Sequence, residues 1–118
     1  MSRNAIETFC NSLESLDLKG AALFVEEAAK ELIKLKEVTP SSLERLSEIL
    51  GREVEDEIDL LELRSEVLKL NVPYLSECIS NAIKKLKPDD ERIIKLRKLI
   101  EALINFYKYY SSSGTEQD

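Results

Sequence analysis

Carboxylates are the side chains this sequence places closely enough to do chemistry. Glu53 and Asp56, and then Asp59 and Glu62, stand three residues apart, which brings each pair to one side of a helix. Such a pair can hold a hard divalent cation such as Mg²⁺, which takes oxygen ligands and needs no imidazole. The sequence has no histidine, so it lacks the commonest general base and the commonest metal ligand, and no serine has a histidine to activate it. Cys10 and Cys78 are far apart and the three glycines stand singly. That excludes a paired-cysteine zinc or redox motif and a glycine-rich phosphate loop.

Acids three apart on adjacent helices are the metal-holding pattern of all-α, Mg²⁺-dependent nucleotide pyrophosphohydrolases. On that alternative Asp56, Asp59 and Glu62 would hold the ion, with Glu14/Asp17 as a more distant pair. The companion glutamate block is missing, because Glu27 and Glu31 stand four apart. In a chain with 23 acids, spaced pairs arise without any site, and a solvated or salt-bridged face explains them. No catalytic residue and no cofactor is expected.

A second group is basic. Lys84, Lys85, Lys87, Arg92, Lys95, Arg97 and Lys98 concentrate positive charge in a chain of net charge −6. With Tyr109 they form a candidate nucleic-acid surface, gripping phosphates and stacking a base. The overall charge opposes that contact at long range, and pairs such as Glu91/Lys95 and Arg97/Glu101 offer internal partners. Tyr107 and Tyr110 fall on an apolar seam and are expected to dock the last helix. Cys10 and Cys78 are expected as buried apolar side chains, without a disulfide.

The elements that must carry these residues are helices. Apolar residues keep helical spacing throughout, and no stretch alternates with period two. The pattern predicts six helices at about 3–16, 20–37, 40–50, 52–70, 73–87 and 89–110, followed by a polar, disordered tail over 111–118. Pro40 with a Ser41–Glu44 capping box, Asn71 before Pro73, and Pro88 before three acids mark the boundaries. The fold class is all-α: one domain over 1–110, a compact bundle of about six helices in three consecutive hairpins, with solenoid-like stacking as the alternative.

The fourth predicted helix is apolar on two sides. Val54, Ile58, Leu61 and Leu68 share one; Leu60, Leu63, Val67 and Leu70 share nearly the opposite one. Such a helix is either central in its own domain or offers one side to another chain. Between the sides runs an acidic stripe, Glu55, Asp59, Glu62 and Glu66, whose like charges each cost about 0.2–0.5 kcal/mol in an isolated helix unless something offsets them. The expected function is a non-enzymatic protein–protein interaction module, a small subunit or adaptor of a larger cytoplasmic assembly. Leu60, Leu63, Val67 and Leu70 are the expected anchors, and the partner is another protein or a second copy. No apolar run is long enough for a membrane span or a signal peptide. Abundant Glu and Lys with a single glutamine suits a thermophile.

Overall fold

Helix boundaries follow from a few capping side chains. The computed structural model describes residues 4–117, with side chains described over 5–112. Seven helices stand among the described residues, with no strand: α1 (Asn4–Glu14), α2 (Leu18–Ala22), α3 (Val25–Ile33), α4 (Pro40–Leu50), α5 (Glu57–Leu70), α6 (Leu75–Lys84) and α7 (Arg92–Gln117). The predicted helix over 20–37 is two helices. Asp17 caps α2 by accepting from the Gly20 amide at 3.0 Å, and Phe24, at φ −111° and ψ 3°, leaves the helical region before α3 starts. A helix over 3–16 begins outside the described residues; α1 ends where Leu16 turns left-handed at φ 61°. Leu16 and Asp17 donate back to Leu13 and Ser12, the paired bonds of a Schellman closure, with leucine where glycine is usual.

α4 starts at Pro40, as predicted, but its cap lies two residues ahead of the predicted one. Pro40 occupies the first helical turn, so Thr39 becomes the N-cap and exchanges bonds with Ser42, in place of the Ser41–Glu44 box. Asp56 caps α5 from an extended backbone, accepting from the Asp59 amide at 2.9 Å, which moves the start to Glu57. Asn71 closes α5 at φ 57° and ψ 46°, as its position before Pro73 predicts. Asp90 holds the opposite kind of end, the start of α7, accepting from the Arg92 amide at 2.9 Å. That helix runs to Gln117, where the sequence reading stops at 110 and expects a disordered tail; propagation costs little once a long helix is nucleated, and no proline interrupts it. Residue 118 lies outside the described residues.

Packing closes the chain on itself. α1 lies against α2, α3 and α6; α5 lies against α6 and α4; α7 returns to α3, with further contacts to α4 and α2. In a solenoid each repeat touches only its neighbours. Here the last helix packs on the third and the first on the sixth, which is a bundle. Phe9, Leu32, Leu46, Leu75, Ile79 and Leu96 are among the fully buried side chains of one core. Glu31 of α3 caps α1 across the core edge, accepting from the Ala5 and Ile6 amides at 3.2 and 3.0 Å. Among the described residues no buried side-chain polar atom lacks a hydrogen-bond partner, and no helix is long and apolar enough to cross a membrane.

Candidate functional site

α5 carries two apolar sides, and its neighbours decide which one is inside. α4 and α6 pack against the side bearing Leu60, Leu63 and Val67, which are 7%, 3% and 0% exposed. Leu70 is partly buried against the same core. These four, expected from sequence as partner anchors, are therefore internal packing residues. The open side is the other one: Ile58, Leu61 and Leu68 are 67%, 60% and 46% exposed, with exposed Ser65 between them. Val54, grouped with them by periodicity, precedes the helix and packs partly on the core. A signal for the correct choice is present in the sequence. The inner row 60, 63, 67, 70 is apolar throughout, whereas Ser65 interrupts the outer row.

Two members of the acidic stripe, Asp59 and Glu66, are offset locally. Asp59 accepts from the Glu55 amide at 2.9 Å, so Asp56 and Asp59 together satisfy two free amides at the start of α5. Acids there also face the positive end of the helix dipole. Glu66 pairs with Arg52 at 2.5 Å, tying the α4–α5 loop to α5, and the Arg52 guanidinium beside it holds the Glu66 carboxyl below the usual carboxylate value. The metal reading gains nothing from this geometry. Among the described residues no three acids or thiols converge as a set that could hold a metal ion, and Asp56 and Asp59 are engaged as caps.

The basic residues do not remain one free set. Arg92 binds Asp90 through two nitrogens, at 3.1 and 2.8 Å, and pulls the Asp90 carboxyl down to about 2. Arg97 donates to the Arg52 carbonyl at 3.3 Å, and Lys85 donates to the Glu14 carbonyl. Lys84, Lys87, Lys95 and Lys98 are exposed, but Asp89 and Glu91, also exposed, stand in sequence between Lys84 and Lys87 on one side and the lysines of α7 on the other. Tyr109 is 63% exposed and meets the Tyr110 ring edge-on at 5.0 Å.

Tyr110 is held to α3 by a hydrogen bond to Glu26, which pushes its hydroxyl up to about 12, and by Lys30 over its ring at 4.9 Å. Tyr107 is buried and donates to the Val38 carbonyl at 3.4 Å. Both tyrosines therefore dock α7, as the seam predicts. Cys10 and Cys78 are free and buried; contact with Cys10 and burial push the Cys78 thiol far up, away from a reactive thiolate.

A cleft of about 420 Å³ lies between the α4–α5 loop and the start of α7, with Val54, Ile93 and Ile94 among its walls and five acids around it. An open hollow of about 490 Å³ along α7 is lined by Ala102, Asn105, Phe106, Tyr109 and Tyr110. Neither has a buried polar atom waiting for a ligand. In comparisons with protein-family models, curated proteins and solved structures, nothing matches this chain.

Proposed function

We propose that the chain is a non-enzymatic helical interaction module, a small subunit or adaptor of a larger assembly, that docks through the outer side of α5. The observation that carries the reading is the row of Ile58, Leu61 and Leu68, three large apolar side chains left in water along one line of one helix. Scattered exposed leucines need no explanation, but a row along one helix face with charged margins, broken only by Ser65, is the form a helix takes when it lies in a groove or on another helix. Burying it gains about 25 cal/mol per Å² of apolar surface, before the cost of association. The charges beside the row orient and steer the partner more than they add affinity.

The test uses the chain purified gently from its own source and weighed intact by native mass spectrometry. A heavier species containing a partner polypeptide is expected, and Leu61→Glu is expected to release it while helix content is unchanged. A complex that survives Leu61→Glu and Ile58→Glu alike would place the contact elsewhere and end this reading.

A further inference from the structure

The charges beside the α5 row specify an occupant. Ile58, Leu61, Ser65 and Leu68 follow the three-four spacing of a coiled-coil seam, with the two remaining chain neighbours of the seam on either flank. One flank carries Glu57 and, seven residues on, Arg64; the other carries Glu62 and, seven residues on, Lys69. Each flank therefore begins acidic and ends basic. Two copies lying parallel would set Glu57 beside Glu62 and Arg64 beside Lys69, like charge against like charge on both sides. Turning one copy end for end brings each flank against its own counterpart. Ile58 then seats near Leu68 and Leu61 near Ser65, Glu57 meets Arg64, and Glu62 meets Lys69, each contact occurring twice.

We propose that this side of α5 pairs with a second copy of the same chain, antiparallel, about a two-fold axis near the middle of the helix. The inference rests on the reading of α5 as the docking surface and names its partner. A surface that complements itself in this way closes at two copies. Lys69 makes no ion pair within its own chain among the described residues, and Arg64 spends one donor on Ser80, leaving the rest of its guanidinium for a carboxylate. Opposed helix dipoles favour the same orientation. The 14 residues of α5 span about 21 Å, so the contact is at the small end of specific interfaces and the pairing is reversible and concentration-dependent.

Sedimentation equilibrium of the full chain across a dilution series, up to about 1 mM, tests it. A monomer–dimer equilibrium is expected, weakened about thirtyfold or more by Leu61→Glu, the scale of a hot-spot loss. Glu62→Lys and Lys69→Glu are each expected to weaken it about fivefold at low salt, by placing like charges together twice, and the double exchange to restore it. These surface changes leave circular dichroism unaltered. A chain monomeric throughout, or a dimer indifferent to Leu61→Glu, overturns the proposal; single charge changes that tighten the dimer would mean parallel pairing and overturn it too. A monomeric chain whose complex in the native mass measurement still depends on Leu61 would leave the docking surface standing with a different occupant.

Discussion

Several side chains that look chemical in the sequence are spent on closing helices. Asp90 accepts from the Arg92 amide and holds the Arg92 guanidinium, and this pair is what lowers its carboxyl to about 2. A carboxyl depressed by folding contributes stability above its ordinary value near 3.8, and that contribution is lost as pH falls toward 2. An NMR titration of the Asp90 side chain should give a midpoint near 2, and Arg92→Ala should return it toward the ordinary value. A midpoint already ordinary in the native chain would mean the pair does not form in solution. Tyr110 works in the other sense: its phenol stays protonated to higher pH because its hydroxyl donates to Glu26, so what it contributes is present below 10 and lost as pH rises through about 12. Tyr74, at φ 68° with a Pro73–Leu75 backbone bond of 2.7 Å around it, takes a tight γ-turn that costs a non-glycine residue free energy. Its carbonyl accepts from the Cys10 thiol at 3.4 Å, so the turn is held where α1 meets the start of α6.

At the scale of elements, α5 makes the sharpest demand. Two leucines two residues apart should behave as opposites. Leu63→Ala removes a side chain 3% exposed between α4 and α6 and should cost about 2–5 kcal/mol in urea unfolding. Leu61→Ala, at 60% exposed, should change stability by no more than about 0.5 kcal/mol. Equal losses would mean that α5 is buried all round, and the docking surface would disappear. This helix also marks where the sequence stops being legible. The periodicity of apolar residues exposed both sides of α5, and Pro40, Asn71 and the seam through Ile100 and Tyr107 were enough for helix class, two boundaries and the docking of α7. Which side of α5 faces inward is settled by the approach of α4 and α6, and the one local hint is Ser65, which interrupts the outer row while the inner row stays apolar. The break at Phe24 is also hard to read, because the apolar spacing runs through it. The acids at 55–59 resemble ligands in sequence because capping and chelation select the same residue types. Only geometry separates the two, with Asp56 and Asp59 reaching amides instead of a common centre.

The whole molecule is more closed than its hairpins suggest. Its radius of gyration of 13.8 Å is close to the roughly 13.5 Å of a globule this long, and the contacts that set it join distant segments: α1 with α6, and α3 with α7. A stack of independent hairpins would lose its parts one at a time, because each would carry most of its own contacts. Here α7 has its main packing surface on α3, and Tyr107 reaches from α7 to the Val38 carbonyl just before α4. Removing α7 uncovers the first half of the chain, while removing α1 uncovers α6. Neither half can keep its core when the other leaves, so unfolding should be one transition. Far-UV circular dichroism follows all the helices, and tyrosine fluorescence follows mainly the aromatic end of α7, where Tyr107, Tyr109 and Tyr110 sit. In urea the two curves should share a midpoint and a slope, and Ile100→Ala, at a fully buried position of α7, should shift both together. If tyrosine fluorescence fell first while most helix signal remained, α7 would be a detachable lid on a self-sufficient core. The bundle would then have to be redrawn as a smaller domain with an added helix.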